Sequence, residues 1–232
     1  MKKVLITAFA FAMLTTAKAQ FYIQGGVNLA NITQTSDGQT EDNNMLTTFN
    51  VGIMNRFGLS KVVDLEAGLL FTGKGSKAET YFTNGSTSDN YVITKFNPYY
   101  VELPLNLIVR LPMKGTKGLF IHAGPYAAVG VAGKSTTNQK ILGITSNSEN
   151  DIEFADDDPF TSRQEDASYS KLKRFDFGLN GGGGIDLGKV LLKVNYGYGL
   201  TKINSTESNN ASDDKNKYRT LSLSLGLPLG GK

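Results

Sequence analysis

One run of strict alternation constrains this chain more than any other feature. Tyr99, Val101, Leu103, Leu105, Leu107, Val109 and Leu111 are all apolar or aromatic. Between them stand Tyr100, Glu102, Pro104, Asn106, Ile108 and Arg110, most of them polar. A strand turns successive side chains to opposite faces, so this segment has one greasy face and one wet face. The pattern recurs about eight times after position 20, and the middle of the greasy face carries no charge. A sheet reads this way when its outside meets lipid and its inside is polar.

The spacing predicts strands over 21–31, 47–59, 62–72, 99–111 (with a start as early as Tyr91), 119–134, 172–187, 190–203 and 218–229. Long polar connections fall at 32–46, 73–90, 135–171 and 204–217. Short ones fall at Ser60-Lys61, from Pro112 to Gly118, and at Gly188-Lys189. Long and short connections alternate, as in a membrane barrel with short turns on one side and surface loops on the other. The expected fold is therefore all-β: an eight-stranded antiparallel up-and-down transmembrane β-barrel.

Charge placement supports this register. Arg56, Asp64, Glu66, Glu102, Arg110, Lys134, Arg174, Asp176, Asp186 and Lys193 take the inward parity, as does His122. The outward parity carries only Lys95, Lys173, Lys202 and Arg219, all beside long loops, where a basic side chain can snorkel to headgroups. An Arg or Lys facing lipid costs about 2–4 kcal/mol at mid-bilayer. A one-residue slip would expose the whole inward set, at a cost on the order of 10 kcal/mol, comparable to a domain's stability. Eight strands enclose a narrow lumen that side chains fill. The inward charges are balanced, which predicts an interior packed with ion pairs. Arg56 and Asp64 flank the first short turn and are the expected cross-strand pair. Phe57, Phe71, Tyr99, Phe175, Tyr196 and Tyr198 lie outward near strand ends, where interfacial girdles place such rings.

Residues 1–19 read as a secretory signal: Lys2 and Lys3, an apolar stretch from Val4 to Leu14, and Ala17-Lys18-Ala19 before Gln20. Residues 20–232 then form the barrel. Losing Lys2, Lys3 and Lys18 lowers 24 basic residues to 21, against 21 acidic ones. A formally neutral mature chain gives no electrostatic footprint for nucleic acid. With no cysteine, disulfides and thiolate chemistry are excluded.

Several stretches resemble a known family. They are Gly25-Gly26-Val27-Asn28-Leu29-Ala30-Asn31, Leu65-Glu66-Ala67-Gly68-Leu69-Leu70-Phe71 with Lys74-Gly75, and Tyr100-Val101-Glu102-Leu103-Pro104-Leu105. Ala123-Gly124-Pro125-Tyr126, Phe175-Asp176-Phe177-Gly178 and Tyr196-Gly197-Tyr198-Gly199-Leu200-Thr201 continue the series along nearly the whole mature chain. In order and spacing they resemble the outer-membrane β-barrel domain proteins of Gram-negative bacteria, the porin or PorT family. The resemblance implies an eight-stranded barrel in the outer membrane, inserted by the barrel-assembly machinery, and implies little about biochemistry.

Residues that could carry chemistry are few. His122 is the only histidine, and no serine lies close to it in sequence. It reads as a hydrogen-bonded lumen residue, and alone it makes no usual zinc site. Asp151, Glu153, Asp156, Asp157, Asp158, Glu165 and Asp166 form an acidic loop without the spacing of a regular calcium site. It reads as a solvated loop. Gly181 to Gly184 lies within a strand and lacks the Lys-Ser/Thr ending of a phosphate loop, so it reads as a place of close backbone approach.

No catalytic, cofactor or metal residue is assigned. The expected role is a non-enzymatic envelope protein, in contact with outer-membrane lipid and presenting four long loops. The loop 135–171 is the expected partner surface. The alternatives are a porin-like channel for small solutes, a lipid-modifying enzyme built around His122, and a soluble carrier with its greasy face inside.

Overall fold

The computed structural model describes residues 19–36, 39–42, 45–84, 87–112, 118–155, 168–205 and 216–229. The expected signal segment, apart from Ala19, and the acidic residues between 156 and 167 lie outside them. Eight strands make the wall. They are β1 (Ala19–Ser36), β2 (Leu46–Gly58), β3 (Val63–Gly73), β4 (Thr87–Pro112), β5 (Gly118–Ile141), β6 (Phe175–Asp186), β7 (Leu191–Gly199) and β8 (Lys217–Pro228). Each pairs antiparallel with its sequence neighbours, and β1 pairs with β8 from Tyr22↔Pro228 to Thr33↔Lys217. The eight pairings form a closed ring, so no wall strand leaves an unpaired edge within it.

The alternation sorts side chains as the sequence pattern predicts. On β8, Leu221, Leu223, Leu225 and Leu227 are exposed, while Ser222 and Ser224 are buried. On β4, Val101, Leu103, Leu105 and Leu107 are exposed, while Glu102, Asn106 and Ile108 are buried. The greasy face is outside and the charged face inside. A soluble carrier needs the reverse.

All four long connections contain strands that alternation does not reveal, and those of two connections extend the wall. Residues Ser76–Asn84 pair with the start of β4, and Ile144–Asp151 pair with the end of β5. With Tyr91–Pro98 and Gly133–Ile141 they make a four-stranded arm beyond the wall. Both faces of the arm lie outside the hydrophobic band, so nothing imposes an alternation of apolar with polar residues on it.

A β-bulge marks the base of the arm. Tyr100 pairs with Gly130 but Tyr99 pairs with Ala132, which leaves Val131 as an extra residue in β5. The extra residue flips the parity beyond it. Lys134, expected in the lumen, therefore points away from it: its side chain is 59% exposed and pairs with Glu149.

The glycines of β6 let aromatic side chains of β5 lie flat inside the ring. A Cβ on Gly178 would meet the Tyr126 ring at 2.4 Å. One on Gly182 would meet the Val194 carbonyl oxygen at 2.1 Å and His122 Nε2 at 2.9 Å. One on Gly184 would meet the Leu192 carbonyl oxygen at 2.1 Å and the Phe120 ring at 2.5 Å. Gly181, on the outward parity, has nothing within 4 Å. Gly182→Ala should therefore cost about 1–3 kcal/mol through overpacking. Gly181→Ala should stay within about 0.5 kcal/mol of the parent. Urea unfolding in micelles, read by the heat-dependent gel mobility of the closed barrel, tests the pair. Equal losses at the two positions would contradict the packing described.

Candidate functional site: the charged lumen

The lumen is built in layers by the inward residues of successive strands. In the short-turn half of the lumen, Met54, Ile108, Phe120 and Leu191 are buried in one cluster with Tyr22 and Leu70. Against this cluster Glu66 is completely shielded from solvent, at 0% exposure. Its Oε2 accepts from Arg56 Nε at 3.0 Å and from the Tyr22 hydroxyl at 2.5 Å. Its Oε1 accepts from Asn106 Nδ2 at 3.1 Å and from Lys193 Nζ. The Arg56 guanidinium also lies 4.4 Å from the Phe120 ring centroid. A buried carboxylate needs this density of donors, because an unpaired charge in such a place costs several kcal/mol.

This arrangement corrects the expected Arg56–Asp64 pair. The turn between β2 and β3 sets Arg56 directly opposite Glu66, and Asp64 opposite Gly58. Asp64 instead pairs across the next seam with Arg110, at 2.9 Å.

A neutral layer follows. Asn28 Nδ2 donates to Thr72 Oγ1 and the Gly73 carbonyl, and Asn50 Nδ2 donates to Asn28 Oδ1 at 2.6 Å. On the opposite wall Asn195 donates to Asn180, which donates to Glu102. Between these chains lies a cavity of about 40 Å³, with Gln24, Asn106, Lys193 and Glu102 in its lining. That is room for only a few waters.

The third layer centres on Lys74. Its ammonium donates to Asp176 Oδ2 at 2.8 Å and contacts Glu102 Oε2 at 3.0 Å. It also lies 4.1 Å from the Tyr126 ring centroid, and the Tyr126 hydroxyl donates to Asp176. Sequence reasoning assigned Lys74 to a loop. The available signal is its flanking glycines: Gly73 and Gly75 let the chain turn the side chain inward, and Gly75 sits at φ +129°.

The loop-side mouth is closed by apolar and aromatic groups. Ile32, Tyr100, Tyr126, Leu172, Ile203 and Tyr218 form one buried cluster, with Ile152 and Phe154 packed against it. Tyr100 and Tyr218 meet edge to face at 5.6 Å.

The remaining expected lumen residues lie nearer the ends. Arg174 is half-buried at the mouth and reaches the Phe154 carbonyl. Asp186 accepts from the Gly188 amide in a short turn. His122 is buried, and its Nε2 lies 3.4 Å from the Val194 carbonyl. Among the described residues there is no group of three or more His, Asp or Glu side chains that could hold a metal ion.

Outside the ring, Phe49, Phe71 and Tyr99 pack together, Phe71 and Tyr99 stacked at 5.4 Å. Arg219 lies 3.6 Å from the Tyr198 ring centroid and donates to the Gly199 carbonyl. Rings and a long cation at this level suit a membrane interface.

A closed antiparallel ring with an apolar outside and an ionic inside defines an integral membrane β-barrel. The chain belongs to the outer membrane protein beta-barrel domain family, whose model matches residues 15–205. No curated protein matches it. Among solved structures, the attachment invasion locus protein Ail of Yersinia pestis shares 11% identity over 91% of this chain and 99% of its own, with a TM-score of 0.42. Neisserial surface protein A shares 15% over 91% and 97%, with a TM-score of 0.40. The N-terminal β-barrel domain of Pseudomonas aeruginosa OprF shares 9% over 91% and 100%, with a TM-score of 0.31. At these scores the likenesses add nothing to what the strand pairings and the family establish.

Glu66 and Asp64 separate buried from rim electrostatics. Glu66→Gln leaves Arg56 and Lys193 without their shared anion and should destabilise by about 3–5 kcal/mol. Asp64→Asn removes a partner from an Arg110 side chain that is 41% exposed and should cost about 1 kcal/mol or less. Urea midpoints in micelles check this. Similar losses for the two variants would refute the layered description.

Proposed function

We propose that this chain is a non-enzymatic envelope protein that holds a projecting arm out to a partner. In this reading residues 1–19 direct export, the barrel-assembly machinery inserts residues 20–232, and the inward charges hold the wall rigid. Two features of the lumen favour a scaffold over a porin-like channel: the aromatic closure at the mouth and the four-donor knot on Glu66. His122 lies inside the wall, away from any acyl chain on the outer face, which disfavours lipid chemistry there.

The arm supports a contact role. Its face continuous with the wall's outside carries Lys77, Glu79, Lys95, Lys134, Lys140 and Glu149. The opposite face is uncharged, with Thr80, Thr94, Thr137, Gln139, Ser146 and Ser148. At the tip Leu142 is 83% exposed and Ile144 is 74% exposed. Leu142 also sits at φ 51°, an uncommon conformation for a bulky side chain. Ile141 lies nine steps along the strand from Ala132 at the wall, a reach of about 30 Å. An apolar, strained tip held that far from its own bilayer is the observation that carries the proposal.

The test is co-purification from native membranes in mild detergent, with the chain intact or with residues 140–166 scrambled. The scrambled chain should keep its compact, heat-modifiable mobility and lose whatever followed the parent. Capture that survives scrambling would refute the arm as the contact. In planar bilayers neither chain should give stepwise conductance. Steps from the intact chain would favour the channel.

A further inference from the structure

The arm has two outer strands, and they are finished differently. Ser76–Asn84 carries Lys77 and loses register between Phe82 and Asn84. A long cation and an irregularity are ordinary guards of a sheet edge. Ile144–Asp151 has neither. It holds one register against β5, contains no Lys, Arg or Pro, and is exposed at all 8 residues.

The turn fixes which backbone groups of this strand are open. Leu142-Gly143 is a two-residue loop, so Ile141 and Ile144 exchange hydrogen bonds, and the even-numbered residues that follow also bond to β5. Ile152 continues the series, its amide donating to the Gly133 carbonyl. Thr145, Asn147, Glu149 and Asp151 therefore turn their N–H and C=O groups to the other side. Farther along that same side a strand is already in place: the Leu172 amide donates to the Glu153 carbonyl, and the Arg174 amide to the Ala155 carbonyl. Among the described residues, none hydrogen-bonds to the backbone of the four earlier positions on that side.

We propose that an extended segment of the arm's partner adds to this edge as a further strand, bonding to Thr145, Asn147, Glu149 and Asp151. The proposal rests on the reading of the arm as the contact and names its mode. Ile144 at the tip end asks for an apolar neighbour, Asp151 at the wall end for a basic one, and the hydroxyls and amides between them for polar, uncharged ones. Residues 134–141 meet the inner side of the strand in that pattern: Lys134 faces Asp151, and Ile141 faces Ile144. Two copies of this chain in one membrane, related by a two-fold along its normal, bring identical edges together running the same way, which sets amide against amide.

The probe is a blocked peptide with the sequence of residues 134–141, titrated at millimolar concentration into the labelled chain in micelles and followed by amide chemical shifts. In the free chain the amides of Thr145, Asn147, Glu149 and Asp151 should exchange rapidly with solvent, and those of Ser146, Ser148 and Asn150 slowly. The peptide should shift the first set. Two versions of it, each methylated on alternate backbone nitrogens, separate strand addition from non-specific contact. With the first residue of the peptide facing Asp151, methyls on the third, fifth and seventh residues block bonds to the edge, whereas methyls on the second, fourth and sixth point to solvent. The blocked pattern should bind at least about tenfold more weakly. In the co-purification, Asn147→Pro removes one edge amide and should lose the partner, while Asn147→Ala should keep it. Where the proline variant loses its compact mobility, the peptide comparison on the parent chain decides. Slow exchange of the four edge amides in the free chain, no shift with the peptide, or equal binding of the two methylated versions would each overturn the proposal. Equal capture by Asn147→Pro and Asn147→Ala would overturn it too, and would leave the arm as the contact if scrambling 140–166 still abolished capture. Capture that survives scrambling would instead remove the reading on which the proposal rests.

Discussion

The seam between β1 and β8 is the constraint on which the rest depends. A bilayer core offers no water to an open sheet edge, so a spanning sheet must bond every strand on both sides. Twelve register pairs along that seam, from Tyr22↔Pro228 to Thr33↔Lys217, complete the ring. Closure then fixes everything on either side of the wall. Because side chains alternate along the wall strands, closing the ring in this register places the leucines outside and Glu66, Glu102 and Asp176 inside together.

The lumen answers the confinement of charge by distributing it. The lower group pairs one anion, Glu66, with two cations, Arg56 and Lys193. The upper group pairs one cation, Lys74, with two anions, Glu102 and Asp176. Their formal charges are opposite, and the amide layer between them keeps the groups apart while its dipoles link to both. Asn106 donates to Glu66 below, and Asn180 donates to Glu102 above. Six buried charges thus sum to zero, and each has a partner of opposite sign.

Much of this was legible in the sequence, for a definite reason. Where one face meets lipid and the other a narrow lumen, the two-residue period is enforced, and the eight wall strands follow from it. The same logic hides the arm: Ser76–Asn84 and Ile144–Asp151 lie beyond the lipid-facing wall and so show no alternation of apolar with polar residues. Lys134 was misplaced because a single extra residue, Val131, reverses parity without leaving a mark in composition. The Arg56 partner was misassigned because proximity to a turn does not define which residues face each other; the loop length does. Lys74 escaped because it lies beyond the strand, and only its two glycine neighbours hint that the chain folds it inward.

The central claim is that the leucine-rich side of the wall faces lipid and the arm faces water. The chain has no cysteine, so a single reporter can be placed by Leu223→Cys on β8 or Leu142→Cys at the arm tip. A fluorophore on each, in bilayers carrying brominated acyl chains, gives the most direct measurement. The account predicts strong quenching by brominated lipid and little by aqueous iodide at 223, with the reverse at 142. Iodide quenching at 223 equal to that at 142 would contradict it.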